Sequence, residues 1–322
     1  MKIAITAYVD NFEKEKYADE CNLMTYSGQS LDDRFTFVIY AHPESLPLID
    51  LYENVIVIPY VIEDEYYSSY KFAKSLNFVH INSEFLLKYN FIIKTDTDVI
   101  FTPQMNNFNF NENIISIGEG HYTVSNKSVE KLKEVAKNFG YPTYKRISDM
   151  HSTIICNSKD MIDLMRLSDL LCKEIYYGIP EPGEWGSDTL WRGDYGTNSG
   201  ICSMYALEII LSSNGYSDRV QVTNKIDAGS EWKESYKDFY HYHCYHHDNI
   251  YSKHQSKFGS YKNLKKQSGN SSAAYCINQY IERRDLGINN PDKFNKPNFT
   301  IFQLPDSYEG PRVWYVFDKE VD

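Results

Sequence analysis

Residues Tyr89–Pro103 read YNFIIKTDTDVIFTP, and the class of fold depends on what this stretch does. The apolar run Phe91-Ile92-Ile93 predicts a buried strand. Asp96 and Asp98 follow with only Thr97 between them, and a second apolar run, Val99-Ile100-Phe101, comes at once. Carboxylates set between hydrophobic runs are costly to bury without a partner. A hard divalent cation takes oxygen ligands and is often shared with substrate phosphates, so it would serve. A turn whose Asp side chains bond backbone amides is the plainer reading of the same residues.

Outward from this segment, strands and helices alternate. Lys2–Val9, Asp33–Tyr40 and Val55–Ile58 read as buried strands, with a polar helical stretch over Phe12–Tyr26. Ser68 or Ser69 is placed to cap a helix running to about Lys88, with Phe72, Leu76, Val79 and Leu86 on one face. Downstream, Asn113–Gly118 and His151–Asn157 read as strands. Ser128–Phe139 reads as a helix closed by Gly140, and a Ser158-capped helix carries Met161, Leu164, Met165, Leu171, Cys172 and Ile175 on one face. This alternation predicts an α/β sheet, in which ligands gather at the carboxyl ends of strands. Thr6, Ala7 and Tyr8 then stand where a nucleotide base can lie.

The stretch Tyr177–Gly200 changes character: it is rich in Gly and Pro and carries Trp185 and Trp191. Its composition suits an ordered loop, and aromatic faces are natural sugar platforms. Glu184, Asp188 and Asp194 are among its carboxylates, each readable by itself as a solvated or loop-capping acid. A helix over Cys202–Ser212 and a strand over Arg219–Ile226 follow. A further strand over Asp238–His247 holds His241, His243, His246 and His247, with His241 and His243 on one face. From Tyr251 up to Glu282 the charged residues are Lys253, Lys257, Lys262, Lys265 and Lys266, a local cationic patch suited to an anionic ligand. Beyond about residue 270 the prolines at 291, 297, 305 and 311 suggest an irregular tail packed on the core.

Asp96-Thr97-Asp98 at a strand end resembles the DxD motif of GT-A-fold, nucleotide-sugar-dependent glycosyltransferases. The segment Tyr70-Lys71-Phe72-Ala73-Lys74-Ser75 and the Trp loop followed by Ser203-Met204-Tyr205-Ala206 resemble a little-characterised GT-A-like group. The resemblance implies a mixed, mainly parallel sheet flanked by helices, with residues 1–260 as the catalytic domain and 261–322 as an extension. It implies Mn2+ or Mg2+ on Asp96 and Asp98, with Asp98 the closer ligand and Asp96 reaching the ribose or a metal-bound water. A late His completes the shell, His243 before His241, His246 or His247. Lys71 and Lys253 are implied on the donor diphosphate, although Lys74 departs from the group's usual Asn. Asp188 is implied as the catalytic acid residue ahead of Glu184, with the acceptor over the two Trp. The implied reaction moves a sugar from a nucleotide-sugar donor, a UDP-sugar before a GDP-sugar, to a hydroxyl of a glycan or glycoprotein.

Composition narrows the classes. A formal net charge of −11 argues against a general nucleic-acid binder, whose first task is neutralising phosphates. Six Cys without a CxxC pair read as reduced thiols in a cytosolic-type setting. No signal peptide and no 18-residue apolar run is visible, which predicts a cytoplasmic protein without a membrane span, or a trimmed catalytic domain. A nucleotidyltransferase is disfavoured, because Thr6–Phe12 lacks the Gly-rich signature after the first strand. The alternative outside the enzymes is a carbohydrate-binding protein of the same fold, catalytically inactive or stabilised by zinc on His241, His243, Cys244 and His246.

Overall fold

The structure, a computed structural model, describes residues 1–120, 126–141, 143, 146–147, 152–178, 202–213, 215–230, 233–244, 263–289, 301–302 and 315–316. Its contacts divide the chain into two compact units. One comprises Met1–Val61, Thr95–Asn109 and Asn224–Asp322, the other Ile62–Lys94 and Phe110–Thr223.

The first unit begins with β1 (Ile3–Val9), α1 (Lys14–Ser27), β2 (Phe35–Ala41) and β3 (Val55–Pro59). The three strands are parallel, in register from Ile3 opposite Phe35 to Val9 opposite Ala41, and from Phe37 opposite Val55. Their near-continuous apolar runs suit strands covered on both faces. The unit's second sheet has order β5-β10-β9, from β5 (Val99–Phe101), β9 (Ala228–Gly229) and β10 (His241–His243).

In the second unit, a helix expected from Ser68 or Ser69 to Lys88 is broken into pieces. Helix α2 (Glu65–Ser69) is capped by Asp64, whose carboxylate accepts the Tyr66 amide at 2.8 Å. Tyr70 leaves helical geometry at φ −115°, ψ 84°, and α3 (Lys74–Ile81) and α4 (Ser83–Leu86) follow. The break comes from packing: the buried Tyr70 ring stacks on Tyr176 at 5.3 Å, and its hydroxyl accepts the Ser203 amide at 3.1 Å. Leu76, Val79 and Leu86 are buried as expected, whereas Phe72 is 53% exposed.

After β4 (Phe91–Lys94) and β6 (Ile115–Gly118), α5 (Asn126–Asn138) ends where Gly140 adopts φ 86°, the left-handed closure that its position predicts. Then come β7 (Ile154–Asn157), α6 (Ser158–Gly178), α7 (Cys202–Leu211) and β8 (Val220–Thr223). All six apolar positions expected on the inner face of α6 are buried. The cap of α6 is Asn157 and not Ser158: its Oδ1 accepts the Asp160 amide at 3.0 Å, and its Nδ2 donates to the Glu112 carbonyl at 2.8 Å. Asn157→Ala should therefore lower stability by about 1 kcal/mol in denaturant unfolding.

The parallel strands of the first unit follow the order β3-β2-β1, and those of the second form a mixed set in the order β4-β7-β6-β8. Strand β7 runs antiparallel to both β4 and β6, while β6 and β8 are parallel. Two late strands are shorter than expected. Strand β8 ends at Thr223, before the turn in which Asp227 takes φ 55°, and β10 spans His241–His243 alone. The expected irregular tail opens instead with an 18-residue helix, α8 (Ser272–Asn289). Its buried Ala273, Ala274, Cys276, Ile277 and Ile281 form one helical face, which the prolines further on had obscured. That face packs with Leu23, Ile100 and Tyr242 in one apolar cluster. Among the described residues no helix is long and apolar enough to cross a membrane.

Candidate metal centre

The Asp96–Asp98 segment is the turn between β4 and β5. The Thr95 amide donates to the Thr6 carbonyl at 3.0 Å, which fixes the entry to the turn. At its exit, the Cys244 amide donates to the Asp98 carbonyl at 2.8 Å, and β10 pairs antiparallel with β5, setting His243 opposite Val99. This register carries the His243 imidazole to Asp98, with Nε2 3.1 Å from Oδ1 across 145 residues of sequence. One ligand atom from each of Asp96, Asp98 and His243 lies within 4.8 Å of the others. Asp98 and His243 are buried and Asp96 is half-buried.

Two carboxylates and one imidazole within this distance fit a divalent cation. The acids supply hard oxygen ligands, and a neutral imidazole adds a ligand without adding charge. Among the described residues this is the only such group of three. His241 does not join it. Its side chain is fully buried, with Nδ1 3.4 Å from the Asp227 amide and 3.7 Å from the Asp227 carboxylate, and its ring packs on Phe101. Nor does Cys244 join it, since its side chain lies in the apolar cluster with Leu23 and Ile100. The zinc set of His241, His243 and Cys244 is thus not assembled among the described residues, while His246 lies outside them.

Burial holds His241 neutral, pushing its pKa from 6.5 to about 4 against the opposing pull of Asp227. Between those values the unfolded chain binds a proton that the folded chain refuses. The stability His241 contributes is therefore present above pH 6.5 and lost as pH falls towards 4. The loss amounts to about 3 kcal/mol in the metal-free protein. Urea unfolding in chelator at about pH 7.5 and about pH 4.5 should show this fall, and His241→Gln should reduce it by most of that amount.

At the carboxyl end of β1 the three expected base-binding residues differ. Thr6 and Ala7 are fully buried, and the Thr6 hydroxyl donates to the Val38 carbonyl at 2.8 Å. Of the three, Tyr8 alone is partly exposed; its ring meets Tyr60 edge-on at 5.6 Å, and Tyr60 meets Tyr40 at 6.3 Å. Burial first, and Asp10 next, raise the Tyr8 pKa, so its hydroxyl stays a neutral donor. Lys71 is exposed in a short 3-10 turn of the second unit. Glu184, Asp188, Asp194, Trp185, Trp191, Lys253 and His247 lie outside the described residues.

Sequence reasoning missed one contact of the turn and one polar residue just after β1. The Thr97 hydroxyl donates to Glu20 Oε2 on α1 at 3.2 Å, and Asp10 Oδ1 accepts the Asn11 and Phe12 amides at 2.7 and 3.2 Å. An acid beside an Asn marks a turn of the Asp10 kind. Nothing in the polar run of α1 singles out Glu20.

Fold and site together define an α/β protein with a candidate divalent-metal centre where two short strands meet. The model of a family described as a domain of unknown function (DUF7164) matches residues 1–290, and the chain belongs to that family. No curated protein matches the sequence.

Proposed function

We propose that the chain is a metal-dependent glycosyltransferase, moving a sugar from a nucleoside-diphosphate donor to an acceptor hydroxyl. The observation that carries this reading is the meeting of Asp96, Asp98 and His243 from distant segments at the end of β4. A divalent cation held there would neutralise the charge that grows on a leaving nucleoside diphosphate. Asp98, already in contact with His243, would be the inner carboxylate, and the more exposed Asp96 would reach the ribose or a metal-bound water. Tyr8 would offer its partly exposed ring to the base, and Lys253 would supply a cation for phosphate oxygens.

In the transfer the bond from the sugar's anomeric carbon to the phosphate oxygen breaks, and the acceptor oxygen bonds that carbon. The acceptor's proton leaves to a carboxylate within hydrogen-bond reach, for which Asp188 is the first candidate and Glu184 the second. Trp185 and Trp191 flank Asp188 in sequence and would hold the acceptor sugar against it. Mn2+ or Mg2+ with a UDP-sugar is the expected pairing.

A thermal-shift screen of nucleotide sugars, with and without Mn2+, tests the reading. A ligand that binds the folded state raises Tm with its concentration above Kd. The expected result is stabilisation by one nucleotide sugar that requires Mn2+. Tightly held zinc together with indifference to every nucleotide sugar would instead favour a zinc-stabilised binding protein.

A further inference from the structure

We propose that Glu20 is a positioning residue for the metal centre, acting through the Thr97 hydroxyl. The inference rests on the metal reading of Asp96, Asp98 and His243. Bringing two carboxylates together before a cation arrives costs electrostatic energy, so the turn that carries them must be held from outside. Both flanks are held by backbone bonds, Thr95 to Thr6 on one side and Cys244 to Asp98 on the other. The middle of the turn is held by a side chain. Thr97 is 5% exposed, and its hydroxyl donates to Glu20 Oε2 at 3.2 Å. As a β-branched residue Thr97 has few side-chain rotamers, so a bond at its hydroxyl also restrains the backbone between the two acids.

Glu20 is itself on a braced element. Helix α1 packs on β5, and at the neighbouring position Asp19 pairs with Arg283 of α8 at 2.7 Å. Arg283 also bonds Asp50 at 3.0 Å, so α1 is tied at a point one residue from Glu20. The Glu20 carboxylate does two things there: it accepts the Thr97 hydroxyl, and it adds negative charge next to a centre built for a dication. Outer-shell partners of this kind are worth about 10–100-fold in metal affinity.

The two contributions separate by substitution. Thr97→Val removes the hydroxyl at constant shape, Thr97→Ser keeps it, Glu20→Gln keeps an acceptor oxygen without the charge, and Glu20→Ala removes both. Uptake of Mn2+ by the full chain, read from the EPR signal of the free ion, should weaken about 10-fold in Thr97→Val and somewhat more in Glu20→Ala, which loses the charge as well as the bond. Thr97→Ser should stay within about twofold of wild type, and Glu20→Gln should fall between. The double variant Thr97→Val with Glu20→Ala should be little weaker than Glu20→Ala alone, because one bond is lost in both. Unfolding in chelator separates a lost fold from a lost ligand geometry, and Thr97→Val should unfold as Thr97→Ser does. Thr97→Val binding Mn2+ as wild type does would overturn the inference, and so would equal losses in Thr97→Val and Thr97→Ser. A wild-type chain that takes up no Mn2+ would overturn the metal reading itself.

Discussion

Asp98→Asn is expected to weaken Mn2+ uptake by at least about 100-fold, about 2.7 kcal/mol, and to abolish any Mn2+-dependent part of nucleotide binding. Asp98 is the buried member of the acid pair and the one in contact with His243. Replacing it by an amide removes one of the two negative charges and leaves a poorer oxygen ligand. The same substitution should change the metal-free protein little, by about 1 kcal/mol or less, because the amide oxygen can still accept from His243. This contrast is the informative part. A turn in which the Asp side chains merely bond backbone amides would tolerate Asn with no change in metal or nucleotide binding. Asp96→Asn, at the more exposed position, should have the smaller effect of the two. Isothermal titration with Mn2+ alone, followed by the nucleotide with and without Mn2+, reads both.

The second large effect is expected at Gly28, just past the end of α1. A Cβ built there would stand 2.1 Å from Phe37 Cζ and 2.3 Å from Phe37 Cε2. The Phe37 ring is fully buried and meets Phe101 edge-on at 5.7 Å, so it cannot swing aside without moving β5. Gly28→Ala should therefore lower stability by about 3 kcal/mol, the upper end for overpacking. The backbone at Gly28 is an ordinary right-handed helical one, φ −69° and ψ −8°, so the whole effect is steric. Shortening the obstacle in the double variant Gly28→Ala, Phe37→Leu should return part of the loss. Phe101 lies opposite His241 in the sheet that carries His243, so Mn2+ uptake should weaken in Gly28→Ala as well. Urea unfolding measures the first expectation, and an unchanged midpoint would contradict it.

Much of the fold was legible because the apolar runs are dense. The first three strands stand within two residues of where their sequence places them, and α6 buries the whole face its spacing predicts. What failed was local reading where a distant residue decides the backbone. Tyr70 breaks a helical pattern for the sake of Tyr176 and Ser203, more than a hundred residues away in each case. The tail was read through its prolines, and α8 was missed although its apolar spacing is plain. In the site, Asp96 and Asp98 were legible because charges between apolar runs require a reason. His243 among four candidates was not, since its preference over His241 rested on a resemblance and on nearness to the basic loop. The structure separates the two by register: β10 carries His243 to Asp98, and His241 to Asp227. Thr6 shows the opposite case. Its place at a strand end is suggestive in sequence, but its hydroxyl is spent on the neighbouring strand.

Pulsed EPR on Mn2+ bound with UDP tests the central claim most directly, because it reads the nuclei around the ion. The account predicts phosphorus couplings from the diphosphate and one directly bound imidazole nitrogen, the latter lost in His243→Ala and kept in His241→Ala. Mn2+ that shows no phosphorus coupling, or an imidazole coupling that survives in His243→Ala, would contradict it.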